Sequence, residues 1–240
     1  MELYKVLDHD GSARMGVGKW PLPDGKAGEW LEVKGELVAC ENGLHLCRRD
    51  DLVHWLGPAI FMAEYDGGEM LESDDKIVVR RARLIEKLDT WNDRTGCLFA
   101  ADCAERVLHI FERNYPDDHR PRTAIEVARK VANGDLPVEA LTTAAIAARD
   151  AAGDAAKAAG DAATAATATA ATWAAAAASS ARNAAWCAAR AAAWADLFAA
   201  AGDAAKAAGD AAAWATKVAE QKWQTERLFQ ILNGEIYATA

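Results

Sequence analysis

The 240-residue chain is short of cations: 27 Lys and Arg stand against 36 Asp and Glu, a net charge of -9. General nucleic-acid binding needs clustered cations to neutralise phosphates, so that class is not expected here. Long uninterrupted apolar runs are missing as well. Charges or glycines break most of the alanine-rich stretch from 151 to 216, and alanine is only weakly apolar, so no membrane span is expected. No charged leader followed by an apolar run opens the chain, which argues against an export signal. Cysteine is scarce and odd in number, five in all, so reduced thiols and a cytoplasmic setting are expected. The spacings of Cys40, His45, Cys47, Cys97, Cys103 and His109 match no common zinc knuckle, and no metal is expected. Phosphate loop, nucleophile elbow, dinucleotide fingerprint and metalloprotease helix are all missing, and no cofactor is expected.

What the chain does contain falls into two unlike halves. The acidity belongs to the first: residues 1–120 hold 16 Lys and Arg against 24 Asp and Glu, whereas 121–240 hold 11 against 12. Residues 1–90 carry short β-prone runs: LYKVLD, GEWLEVKGELVAC, GLHLC, AIFMAEY and KIVVRRARLI. Between GLHLC and AIFMAEY, Leu52, Val53, Trp55 and Leu56 give one apolar face to a short helix that Gly57-Pro58 stops. HDGS at 9–12 and GVGKWP at 16–21 read as turns. In CENGLHLC, Asn42-Gly43 suits a tight turn and His45 falls in mid-strand, with Leu44 and Leu46 on the opposite face. A histidine there can titrate near neutrality or bind a substrate, or it can simply make a local hydrogen bond.

From residue 95 the period becomes helical. Leu98, Ala101, Ala104, Val107, Leu108 and Phe111 share a face that ends before Pro116, and RPRTAIEVARKVANG has proline in its first turn and Asn133-Gly134 at its close. Beyond it, 38 of the 66 residues from 151 to 216 are alanine, the best helix former, and the segment AAGDAAKAAGDAA occurs at both 151–163 and 200–212. Asp154, Asp161, Asp196, Asp203 and Asp210 hold one heptad phase, which predicts a solvated charged stripe. Gly153, Gly160, Gly202 and Gly209 share another phase. They either let helix axes approach closely or mark breaks at which Gly-Asp closes one helix and caps the next. Short antiparallel helices would bury the alanine faces against one another, with Trp173, Trp186, Trp194, Phe198 and Trp214 filling wider gaps.

The run YKVLD, GEWLEV, LVACENGLHLCRRDDLVHWLGPAIFMAEYDG and DDKIVVRRARLIEKLDTWNDRT resembles an uncharacterised family found mainly in phages and prophages, marked by a C-x-x-G-[FL]-H-x-C core. Residues 97–232, with CAERVLHIFERNYPDDHRPRTAIEVARKVANG and WQTERLFQIL, resemble alanine-rich helical proteins described as bacterial immunity proteins. That resemblance implies binding and neutralising a macromolecule. A looser likeness, in the order GLHLC, short helix, AIFMAEY and KIVVRRARLIEKL, is to the ADP-ribosyltransferase fold. It would make His9 and His45 nucleotide-binding candidates, with Glu69 or Glu72 as the glutamate.

The sequence therefore predicts an α+β protein. Residues 1–93 form an acidic β-rich domain with one short helix, and 94–240 an alanine-rich antiparallel helical bundle. The expected function is a non-enzymatic phage or prophage interaction protein that binds and blocks a host macromolecule, a defence component in particular. The alternatives are an ADP-ribosyltransferase-like enzyme or nucleotide-binding relic, and a structural virion protein. Asp50, Asp51, Glu64, Asp66, Glu69, Glu72, Asp74 and Asp75 are the candidates for a face that meets a basic host protein. The helices are candidates for homo-oligomer contacts.

Overall fold

The structure is a computed structural model that describes residues 1–14, 18–137, 139–160, 206 and 214–238. It is α+β, with an antiparallel sheet in the first part of the chain and helices from residue 93. Among the described residues the strands are β1 (Leu3–Leu7), β2 (Leu31–Glu32), β3 (Leu44–Arg48), β4 (Ala59–Tyr65), β5 (Met70–Glu72), β6 (Ile77–Val79) and β7 (Arg81–Lys87). Their order across the sheet is β2-β7-β4-β1-β3-β6-β5, and every pairing is antiparallel.

Alternation along the strands sends one set of side chains to a common core. Leu3 and Leu7 of β1 meet Ala63 and Ala59 of β4, while Leu46 of β3 lies opposite Ile77 of β6. Phe61, Val79, Ala82 and Leu84 complete that core, all at most 2% exposed, and Trp20 closes over it. KIVVRRARLI, expected as one strand, is two. β6 ends at Val79 and β7 begins at Arg81, and Arg80 between them gives its N–H to Glu69 O (3.4 Å) and accepts Val33 N–H at its carbonyl (3.0 Å). GEWLEVKGELVAC is regular only at Leu31–Glu32, because after Val33 the backbone turns away through Gly35 (φ 89°). The short helix expected after CENGLHLC is a 3-10 helix, Arg49–His54, that buries Leu52 and Val53.

The helices are α1 (Asp93–Asn114), α2 (Arg120–Ala132), α3 (Ala140–Gly160) and α4 (Trp214–Leu232) among the described residues. Two compact units result, Met1–Asn92 with Ile231–Ala240, and Asp93–Gln230. In the second unit α1 packs on α2 and α2 on α3. α1 stops before Tyr115-Pro116, and α2 starts with proline in its first turn and ends at Asn133-Gly134, where Gly134 has φ 80°.

A buried polar network fastens α1 to α2 and α4. Asp102 of α1, 5% exposed, takes Arg129 of α2 at 2.8 Å and Arg227 of α4 at 2.7 Å. One turn on, Arg106 pairs with Glu220 of α4 at 3.0 Å and lies over the Trp223 ring at 4.8 Å. Gln224 Nε2 donates to the other Glu220 oxygen at 3.3 Å. Burial pushes the Glu220 carboxyl above its ordinary range, against the opposing pull of Arg106.

The alanine tract enters the described structure through α3, where Ala144, Ala145, Ala148, Ala151, Ala152 and Ala155 are buried. α3 runs through Gly153-Asp154 without a break, and a Cβ on Gly153 would meet nothing within 4 Å. Neither a helix break nor a close helix contact accounts for this glycine. Asp154 is exposed, as its stripe predicts, and binds Arg120 at 2.8 Å. Asp161, Asp196, Asp203, Asp210, Trp173, Trp186, Trp194, Phe198, Gly202 and Gly209 lie outside the described residues.

Two outcomes follow. Replacing exposed, helical Gly153 with Ala should stabilise the protein by about 0.5–1 kcal/mol in denaturant titration, since the helix loses its most flexible residue and gains no clash. Asp102→Ala should destabilise it by about 3–5 kcal/mol, because two guanidinium groups lose their shared buried counter-charge.

Candidate functional site

The most distinctive sequence motif, CENGLHLC, proves to be a closed local structure. Cys40 adopts φ 67°, a conformation uncommon outside glycine, and its N–H donates to His45 Nε2 at 3.1 Å. Val38 and Asn42 bridge, and Asn42 Nδ2 donates to Lys34 O at 2.8 Å and Glu36 O at 2.7 Å. Gly43, at φ 151°, is needed for space as well as shape: a Cβ there would lie 2.1 Å from Val78 Cγ1. His45 sits opposite Val78 in mid-strand, half-buried, on the face away from Leu44 and Leu46. Burial lowers its pKa below 6.5, helped by the positive charges of Lys5 and Lys76. A neutral imidazole is what its role demands, because Nε2 must keep a lone pair for Cys40.

His45 O accepts Lys5 Nζ at 2.9 Å, and Lys5 lies 5.1 Å from the Trp20 ring centre. Burial lowers the Lys5 pKa and raises that of the Cys47 thiol to about 12, so Cys47 is an inert core group. His9 lies exposed on the turn after β1, where Asp10 accepts Ser12 N–H at 3.0 Å and Gly11 (φ 86°) brings the backbone against Trp20 O. Among the described residues no cluster of three or more His, Cys, Asp or Glu could hold a metal ion.

The eight candidate carboxylates sort into three places. Asp50, Asp51, Glu72, Asp74 and Asp75 gather where the 3-10 helix meets the β5–β6 turn, and Arg48 is their hub. Its Nε donates to Asp51 Oδ2 at 2.6 Å, its Nη2 to Ser73 O at 2.7 Å and Asp74 O at 3.2 Å, and its Nη1 lies 3.8 Å from Glu72. Beside it Trp55 Nε1 donates to Asp75 O at 2.9 Å, and Lys76 stands 4.8 Å over the Trp55 ring and 3.4 Å from Asp75. Asp51 is buried, whereas Asp50, Glu72 and Asp74 are exposed.

Glu64 and Asp66 lie on a second patch. Glu64 pairs with Arg83, opposite it in the β4–β7 register, and Asp66 lies 3.9 Å from Arg81 while capping Gly68 N–H at 3.0 Å. Trp30 covers both arginines, at 4.9 Å from Arg81 and 4.7 Å from Arg83. Glu69 stands apart, bound by Arg80. The cationic partners are what reading the carboxylates alone misses. The alternation Arg81-x-Arg83 against Glu64-x-Asp66 was the available signal, since it puts all four on one sheet face.

The class defined by these features is a two-unit α+β protein with His45 committed to a turn. Residues 86–230 match the model of the family described as "Imm-5 like putative immunity protein", and the chain belongs to that family. This family points to an immunity or inhibitor type of role with a protein partner. No curated protein and no solved structure matches the chain. Among the described residues no helix is long and apolar enough to cross a membrane.

The His45 geometry sets a sign for pH dependence. A histidine whose pKa falls on folding contributes stability above its unfolded value, and that contribution is lost as pH drops below 6.5 toward the folded value. His45→Gln, whose amide oxygen can still accept from Cys40, should therefore show a shallower loss of stability between pH 7.5 and 5.5 than the native protein, measured by chemical denaturation.

Proposed function

We propose that this protein is an inhibitor that works by binding: it occupies a basic surface of a host protein in the bacterial cytoplasm and blocks it, a defence component being the particular target. The family match over residues 86–230 is the observation that carries this reading. The phage-like first half supplies the acidic contact face, divided from the helical part near residue 93. The helical part acts as an antiparallel bundle, a scaffold and a contact between copies.

The arrangement of charge narrows the contact face. Glu64, Glu69 and Asp51 are engaged with arginines at close range, so they have little free charge to offer a partner. Asp50, Glu72 and Asp74 are exposed around the Arg48 hub, and Glu72 is held only at 3.8 Å. These three would steer a basic partner, and the Trp55–Lys76 stack beside them fixes the turn that presents them.

The test is kinetic. Once a partner is captured from host cells, the triple substitution Asp50→Lys, Glu72→Lys, Asp74→Lys should lower its association rate by about tenfold or more at low salt and flatten the dependence of that rate on ionic strength. The dissociation rate should change less. An unchanged on-rate with an intact fold would put the contact elsewhere and defeat the acidic-face reading.

A further inference from the structure

The two ends of the sheet are finished differently. Beyond β2, the carbonyls of Val33 and Gly35 accept Arg80 Nη1 at 3.2 and 2.6 Å, and those of Lys34 and Glu36 accept Asn42 Nδ2. Side chains thus occupy the peptide groups at that end, one of the usual ways in which a protein blunts a sheet edge. Trp30, just before β2, packs over Arg81 and Arg83 of the neighbouring β7.

At the other end Arg48 Nη2 occupies the carbonyls of Ser73 and Asp74 in the turn after β5, but among the described residues no side chain bonds the peptide groups of β5 itself. Its hydrogen-bond parity is fixed by the bonds on either side of it: Arg80 N–H to Glu69 O at 3.4 Å and Ser73 N–H to Lys76 O at 2.9 Å. Bonded pairs alternate in an antiparallel ladder, so Glu69, Leu71 and Ser73 turn their peptide groups toward β6. Met70 and Glu72 turn theirs outward, and among the described residues no strand follows β5 in the sheet. The side chains add a pattern. Leu71, 37% exposed, lies on one face and Glu72 on the other, with exposed Asp74 in the turn that follows. Around this edge and the adjoining turn stand six carboxylates, Asp50, Asp51, Glu69, Glu72, Asp74 and Asp75, against four cations, Arg48, Arg49, Lys76 and Arg80, with Asp51 and Glu69 already paired with Arg48 and Arg80.

We propose that β5 is a docking edge for strand addition: an extended segment of the protein partner, with basic residues alternating with apolar ones, pairs its backbone with Met70 and Glu72. Its lysines or arginines lie beside Glu72 and Asp74, and its apolar side chains lie beside Leu71. Main-chain bonds would supply affinity and the alternating side chains selectivity, as in other cases of strand addition. The proposal rests on the binding role argued above and adds the mode of attachment.

Proline substitution tests it with little disturbance, because the ladder itself does not use the Glu72 N–H. The probe is an eight-residue blocked peptide of alternating lysine and valine, titrated into the full-length protein and followed by backbone NMR, with alternating glutamate and valine as control. In the free protein the amides of Met70 and Glu72 should exchange rapidly with solvent, and that of Leu71 slowly. The lysine peptide should slow Met70 and Glu72 exchange several-fold, and the glutamate peptide should not. Glu72→Pro should abolish the effect, while Glu72→Gln should weaken it and reduce its salt dependence.

Slow exchange of Met70 and Glu72 in the free protein would show the edge already covered and overturn the proposal. Protection that grows with protein concentration alone would assign the edge to a second copy and overturn it equally. No protection by the lysine peptide, or protection that survives in a folded Glu72→Pro variant, would do the same. If Glu72→Pro does not fold, the exchange pattern of the native protein decides. A captured partner that binds Glu72→Pro at native strength yet remains sensitive to the triple charge reversal would sink strand addition and leave the binding role standing.

Discussion

The first unit depends on what happens at Arg80. One residue separates β6 from β7, yet these strands pair with different neighbours, β3 and β5 for one and β4 and β2 for the other. Arg80 makes that division possible by sending its N–H to Glu69 and its carbonyl to Val33. Its guanidinium repeats the connection in side-chain form, binding the Glu69 carboxylate and the carbonyls of Val33 and Gly35. A neutral residue would leave those two carbonyls without their donor and loosen both outer strands together. The exposed end of the sheet and the blunted end thus share one cation.

The second unit solves a different problem. Alanine faces give helices little to interlock, because small side chains make shallow ridges and many registers pack about equally well. The buried Asp102, taken by Arg129 and Arg227, and the Arg106–Glu220 pair discriminate among registers, since a slip would leave charges buried without partners. Tryptophan reinforces them: Trp223 covers the Arg106 guanidinium. Polar contacts here specify the arrangement, while alanine supplies helix formation and close approach.

Neutralisation governs how the surface can work. An acidic chain need not present an acidic face, and most of the carboxylates on this sheet are matched by arginine or lysine within ion-pair distance. Exposed carboxylates gather near the β5–β6 turn, at Asp50, Glu72 and Asp74, beside the sheet edge whose peptide groups point outward. An immunity-type family sets the expectation of a protein partner, and this is the place where charge and open backbone coincide.

Much of this was legible in the sequence because it depends on near neighbours. Helical period from residue 95, the stop before Pro116, the close at Asn133-Gly134 and the strand position of His45 all rest on local sterics and spacing. Other features required the folded chain. KIVVRRARLI is uniformly β-prone, so its division at Arg80 comes from the strands that pair with each half. His45 was open to several roles until the left-handed Cys40 brought its N–H within 3.1 Å. Asp102 meets Arg227 across 125 residues, and Glu220 meets Arg106 across 114. Composition fixes how many charges a chain carries and periodicity fixes which face each occupies. Which opposite charge each one meets is decided only when distant segments close on one another.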